Sequence, residues 1–300
     1  MAKRDMVGDV PGNVLGMLGD LNFKLQHGVI TPTQLDLFLK KQNPFEVVGW
    51  LDAILNREEE LHGAFFSKNF AKKFDYSQFS ATLEKYGEAK FAEWKKIGLE
   101  PHFLPSVEMS QNKDFPGWKV KPEQWFYDQV DKGNVLGSPL CLGEFDIDGM
   151  VVLVDTRCKP AYWGNGKQMW ENDNLFGEII AKLREEEKIV DYNPRASRFG
   201  VSALEIEQKI APALATKLGL EPRQVRLERA IEFNVLSQLL TDTLRAKDGE
   251  TNTRVWFADH FDEYRLHGGN SDCGGFAYVH CYSADYHWHS KGSFRLLAVL

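Results

Sequence analysis

Cysteine is scarce: the 300 residues include four, Cys141, Cys158, Cys273 and Cys281. Too few to staple a molecule of this size, they point to a hydrophobic core as the source of stability and to reduced thiols as the default. Long apolar runs are missing as well. The best, Met150 to Val154, falls far short of the roughly 20 residues that cross a bilayer, so no membrane span is expected. Lys3 and Arg4 are not followed by an apolar stretch, so no secretory leader is read. Cytoplasmic placement is the default expectation, with display on a virion or a cell surface left open. There is no basic surplus either: 36 Lys and Arg face 43 Asp and Glu, for a net charge of −7, which argues against a general nucleic-acid binder. What is present, 43% hydrophobic and 26% charged residues, is a globular mix with ample core material for one large domain or two.

The first hundred residues read as helices. Thr31-Pro32-Thr33-Gln34 is a helix start, with Thr31 and Gln34 placed for a capping box and Pro32 in the first turn. Apolar stripes follow on Leu35, Phe38 and Leu39, on Val47, Trp50, Leu51, Ile54 and Leu55, and on Leu83, Tyr86, Phe91 and Trp94. Asn43-Pro44 stops the first and Gly98 is placed to end the third. Residues 99–142 carry five prolines among Trp118, Trp125, Phe126 and Tyr127. They read as an ordered but irregular connection, and a division is expected near residue 100. Strands are expected around an Asp148-Gly149 turn within Phe145 to Val154, with helices at 174–189, 202–218 and 222–246. Ser202 with Glu205 forms another capping box, Gly219 is a C-terminal stop, and Pro212 should kink or split the middle helix. Arg254 to Phe257 and Ser293 to Leu300 read as short strands. Segregated helices and strands imply an α+β fold.

The last forty-odd residues are unlike the rest. They hold five of the eight histidines (His260, His267, His280, His287, His289), four of the nine tyrosines (Tyr264, Tyr278, Tyr282, Tyr286) and two cysteines. From Leu266 to Ser290 there is no Lys, Arg, Glu, Gln or Met. Lys, Glu, Gln, Met and Trp make up 71 of the 300 residues, yet the window 270–290 holds one, Trp288. These five are the amino acids with no codon ending in C, so the window is nearly restricted to codons of the form NNC. Its Tyr, Ser, Asn, His and Gly are also the residues of antibody-type binding loops. There, rigid aromatics supply contact area and small polar groups supply adaptable hydrogen bonds.

Trp256-Phe-Ala-Asp-His-Phe-Asp-Glu-Tyr-Arg-Leu-His-Gly-Gly269 leads into this window, and Gly292-Ser293-Phe294-Arg295-Leu-Leu-Ala-Val-Leu300 closes the chain. Over residues 254–300 the sequence resembles the C-terminus of the variable proteins of diversity-generating retroelements. In that family a template RNA is copied with errors at adenines and the copy replaces the 3′ end of the gene, which turns AAC codons into NNC. Trp288 departs from that pattern. The resemblance implies a C-type lectin-like fold of the formylglycine-generating-enzyme type over 101–300, with a helical N-terminal region, 1–100, packed on it. It implies ligand binding without catalysis and without a cofactor. Asn270, Cys273, Phe276, Tyr278, His280, Cys281, Tyr282, Asp285, Tyr286, His287 and His289 are then the variable, ligand-contacting positions, ordered but exposed. Ser293, Phe294 and Arg295 are scaffold, with Arg295 hydrogen-bonded and the terminal strand central and buried.

Other readings compete for the same residues. His280, His287 and His289 with Cys273 and Cys281 are ligand types for zinc or copper, but neither Cys-x-x-Cys nor His-Glu-x-x-His spacing occurs. A metal- or thiol-dependent enzyme on the related scaffold is the alternative function, the thiols being Cys273 and Cys281. Asp259, Asp262 and Glu263 read better as a polar segment bounding a strand than as acid–base carboxylates, and Gly268-Gly269 and Gly274-Gly275 better as turns than as phosphate loops. The run Arg184 to Lys188 is a solvated helix face. With no Lys or Arg in Leu266 to Ser290 to neutralise phosphates, the expected ligand is a protein or a surface glycan and not a nucleic acid. Asp272 and Asp285 alone do not make a calcium site.

Overall fold

A computed structural model describes residues 12–27, 30–40, 49–63, 74–105, 124–134, 149–156, 173, 175–240, 252–261, 263–270, 275–287 and 292–300. The chain divides into two compact units, Met1–Gly49 and Trp50–Leu300. The first contains α1 (Gly12–Gln26) and α2 (Pro32–Leu39). The α2 capping box forms: the Thr31 amide donates to Gln34 Oε1 at 2.9 Å and the Gln34 amide to Thr31 Oγ1 at 3.2 Å. Asn43-Pro44 lies outside the described residues.

The second unit is a mixed helix and sheet structure of the α+β kind. It opens with α3 (Trp50–His62) and α4 (Ser77–Lys96). The stripe read on α4 is its buried face: Leu83, Phe91 and Trp94 are buried, with the Phe91 and Trp94 rings edge to face at 5.1 Å. Gly98, at φ +88°, turns the chain from α4 into β1 (Leu99–Pro105). Phe79, Leu83 and Trp94 pack with Leu99 and Phe103 in one core, so the division expected near residue 100 falls inside it, and the compact unit begins at Trp50.

β1 is a strand within the stretch read as irregular. Pro101 and Pro105 suggested a loop, but β1 is the edge of a four-stranded sheet that continues through β2 (Gly149–Asp155), β8 (Leu296–Val299) and β3 (Val225–Leu227), and an edge strand can spare amide donors. Helix α5 (Gln124–Asp131) follows, then β2 (Gly149–Asp155); residues 145–148 lie outside the described residues. Every residue of β2 is buried because both sheet faces are covered. Val151 and Leu153 join the main core, while Met150, Val152 and Val154 join a second one with Val235, Leu236 and Leu297.

Helix α6 (Gly177–Glu185) leads to α7 (Ala203–Glu205), a π-helical turn (Ile206–Ile210) and α8 (Ala211–Leu218). The change of helix type comes just before Pro212, which lacks an amide donor, and Gly219 ends the helix in the left-handed region at φ +69°. The helix expected over 222–246 is wrong for its first part. A 3₁₀ turn (Pro222–Gln224) gives way to β3 (Val225–Leu227), and among the described residues the α-helical part is Ala230–Leu239, α9; residues 241–246 lie outside the described residues. Val225 and Leu227 are buried while Arg226 pairs with Glu232 at 2.6 Å, a period of two that the helical reading overlooked.

The second sheet is ordered β6-β5-β4-β7: β4 (Asn252–Phe261), β5 (Tyr264–Asn270) and β6 (Gly275–Ser283) antiparallel, and β7 (Gly292–Phe294) parallel to β4. Arg295 alone separates β7 from β8 (Leu296–Val299), which lies between β2 and β3 in the first sheet. The terminal strand is therefore central, and it links the two sheets. Phe294, Leu296 and Ala298 face the main core and Leu297 the second, so burial is continuous where a half-buried strand would alternate. Among the described residues no helix is long and apolar enough to cross a membrane.

Candidate functional site

The odd window occupies β6 and the turn after it. Phe276, Tyr278, His280 and Tyr282 stand at alternate positions of β6, and Asn270 ends β5, paired with Gly275. Cys273 and His289 lie outside the described residues. The side chains described are those of Cys281, Tyr282, Asp285, Tyr286 and His287.

These five are graded in exposure. Cys281, Tyr282 and His287 are half-buried, whereas Asp285 is exposed and Tyr286 is 46% exposed. Tyr282 is the link between surface and interior. Its ring stacks on Tyr286 at 5.2 Å and lies 4.6 Å from the ring of buried His267, which meets Trp256 edge to face at 5.6 Å. Trp256 in turn donates from Nε1 to the Val201 carbonyl at 3.2 Å. An aromatic column thus runs from solvent to the core. Tyr264, directly opposite Ser283 in the sheet, is a second exposed ring.

The turn 283–287 is held by a helix end. The Tyr286 amide donates to the Ser283 carbonyl at 3.0 Å, Ser283 Oγ to the Asp285 carboxylate, and the Leu204 amide to the Ala284 carbonyl at 3.1 Å. Glu205 does more than complete its capping box. Its Oε2 accepts from the Ser202 amide at 2.9 Å and lies 3.0 Å from His287 Nε2, and its Oε1 accepts from the Val190 amide at 2.7 Å. Next to it, Glu207 takes Arg265 in a two-pronged pair at 3.1 and 3.2 Å. Glu207 and Arg265 were not singled out from sequence, and Glu205 was read there as a helix cap alone. The capping box at Ser202 was visible, but its second use, to seat residue 287, depends on a contact between positions far apart in the chain.

Below lies the segment read as scaffold. Ser293, Phe294 and Arg295 are buried. The Phe294 ring meets Phe176 at 5.2 Å and 88°. Arg295 donates to the Asp155 carbonyl and sits 3.6 Å from Glu228. Arg198, also buried, joins Asp155 at 3.2 Å and Asp173, with its guanidinium 4.2 Å over the Phe176 ring. Neither carboxylate oxygen of Glu228 accepts a hydrogen bond among the described residues. Burial pushes this carboxyl up to about 7, against the pull of Arg295. Asp259 is likewise raised by burial, to about 6, and accepts the Ala230 amide at 2.6 Å, which caps α9. Asp262 lies outside the described residues and Glu263 is exposed. Arg184 is not on a solvated face: it is buried and donates to the carbonyls of Val190, Pro194, Arg195, Ser197 and Phe199.

The buried charges are thus committed to one another and to backbone, while the groups toward solvent are rings, a carboxylate and an imidazole, the chemistry of contact. Among the described residues no group of three or more His, Cys, Asp or Glu is placed to hold a metal ion. No family model, curated protein or solved structure matches the chain.

Proposed function

We propose that the chain is a diversified ligand-binding protein. In this reading a scaffold of the C-type lectin type displays a segment, about 270–290, that adenine-specific mutagenic copying rewrites, and the segment contacts a protein or surface-glycan ligand without chemistry. The observation that carries the reading is a switch in exposure. Asp285 and Tyr286 stand in solvent, whereas every residue from Gly292 to Ala298 is buried, and the NNC-like composition stops between the two. Rewriting is tolerable only where replacement leaves the core intact, since buried large-to-small changes cost about 2–5 kcal/mol. Stacked tyrosines at the surface have the character of binding hot spots, which concentrate in Tyr, Trp and Arg. A catalytic constellation needs the opposite of a rewritten segment, groups held to about half an ångström by a fixed shell.

The test is to sequence the 3′ end of the coding region from many individuals of one population carrying it. The expected result is substitutions concentrated in codons 270–290, at first and second positions of NNC codons, with codons 293–300 constant. Substitutions spread evenly across the coding region would overturn the reading.

A further inference from the structure

At the edge of the first sheet, side chains of α3 take the place of a further strand. The ladder to β2 uses one side of β1. On the other side the Phe103 amide donates to Glu58 Oε2 at 2.9 Å, and the Pro101 carbonyl accepts from Arg57. Backbone groups of alternate residues point this way, so positions 101, 103 and 105 share the side. Pro101 and Pro105 have no amide, which leaves the Phe103 amide as the donor to be covered. Glu58 is fully buried and holds more than that amide. His102 Nδ1 lies 2.9 Å from its Oε1, Arg57 pairs with it at 3.1 Å, and His62 Nε2 lies 3.7 Å from its Oε2. His62 is buried too, with Nδ1 2.8 Å from the Tyr76 hydroxyl and its ring among those of Phe74, Tyr76 and Phe103.

We propose that α3 is a strap over the β1 edge and that Glu58, His62 and His102 form its proton-operated clasp, closed at neutral pH and released on acidification. The geometry supplies the device: an ionised carboxylate at the centre, an imidazole walled in by three rings, and an edge amide that depends on both staying in place. Burial pushes the His62 imidazole down from 6.5 to about 4; the Glu58 carboxylate pulls against this and His102 adds to it. The closed strap therefore carries a neutral His62, whereas the ring of an opened strap takes up a proton below 6.5. Closure is complete above pH 6.5 and is lost as pH falls to about 4. Burial alone would raise Glu58, but His102, Arg57 and His62 hold it below the ordinary 4.5, so its charge persists through most of this window. The other charged or titratable groups that face the clasp are Arg57 and Glu59 on α3, Tyr76 ahead of α4, and Glu100 on β1, which takes Arg57 at 2.9 Å and has Lys95 of α4 at 3.6 Å. The clasp is independent of the binding reading.

The experiment uses the full chain and reads amide exchange, corrected at each pH for the unprotected rate. Between pH 6.5 and about 4 the protection of the Phe103 amide should fall on the order of a hundred-fold, the factor that the displaced His62 value supplies. The Leu153 amide, in a strand inside the same sheet, reports opening of the whole fold and should not fall with it. In His62→Gln, which cannot take the proton, protection at Phe103 should stay level over the same window. Level protection at Phe103 in the unaltered chain overturns the proposal, and so does a parallel loss at Leu153. A fall that persists undiminished in His62→Gln also overturns it, because the titrating group then lies elsewhere. Should that variant unfold, the imidazole titration of the unaltered chain, followed by NMR, decides: a His62 midpoint of about 4 is expected, and one near 6.5 overturns the clasp.

Discussion

Residues 275–287 and 292–300 are close neighbours in the chain with opposite physics. Both contribute an edge strand to the same sheet, β6 at one side and β7 at the other. The end of β6 and its turn leave Ser283, Asp285 and Tyr286 exposed. Beyond β7 the chain crosses at Arg295 into the middle of the other sheet, and Phe176, Asp155 and Glu228 close over it. The contrast teaches that position in a sheet does not decide how freely a residue can change; what packs past the strand decides it. Replacement at exposed Asp285 and Tyr286 leaves the core intact, whereas the second segment joins two sheets and two cores.

The contrast breaks most easily at Phe294. Phe294→Ala empties a fully buried ring site against Phe176 and should cost about 3–5 kcal/mol, read as a drop in the urea midpoint at unchanged slope. A cost under about 1 kcal/mol would show that the closing segment is no more constrained than the surface.

Glu228 gives the next effect, of opposite sign. Its folded value is raised from 4.5 to about 7, so between these limits the folded chain keeps a proton that the unfolded chain releases. Stability from this group is complete below pH 4.5 and is lost as pH rises to about 7. Glu228→Gln keeps the size and removes the charge. The variant should therefore gain on the unaltered chain over that window, by on the order of 3 kcal/mol above it. Melting temperatures of both proteins measured across the pH range check this, and parallel curves would mean that Arg295 already neutralises the carboxylate.

The legible parts of the sequence were those whose signal is local. The capping boxes at Thr31 and Ser202, the left-handed stop at Gly219 and the buried stripe Leu83, Phe91, Trp94 each depend on residues within a turn or two. What escaped depends on distant partners. Pro101 and Pro105 look like loop residues until β1 is known to be an edge, and Val225–Leu227 looks helical until β8 is there to pair with it. Arg184 looks solvated among charged neighbours, yet it is the buried donor for five carbonyls between Val190 and Phe199. In the candidate site the rings were legible from composition. The supports Glu205 and Glu207 were not, because each meets a residue more than fifty positions away.

Ser202→Ala weakens that support. It removes the cap from the Glu205 amide and frees one anchor of the carboxylate that seats His287. A loss of about 1 kcal/mol is expected, the usual cost of a helix cap. Faster amide exchange at Leu204, whose donation to Ala284 ties the turn to the helix, should accompany it. Unchanged exchange there would mean that the turn is held by β6 alone.

Tyr286→Ala should have the smallest effect on folding and the largest on contact. The ring is 46% exposed and stacks on Tyr282, itself half-buried, so truncation removes contact at the surface and not core packing. Surface changes of this kind usually stay within about 0.5 kcal/mol. Tyr282→Ala should cost more, because that ring also lies 4.6 Å from buried His267 and packs against the main core. The gradient from Tyr286 through Tyr282 to Phe294 is the quantity to measure, by chemical denaturation of the three alanine variants under one condition. A cost at Tyr286 equal to that at Phe294 would erase the distinction between displayed and supporting residues. A small cost at Tyr286 together with a large one at Phe294 locates the boundary between Tyr286 and Phe294, where the NNC-like composition ends.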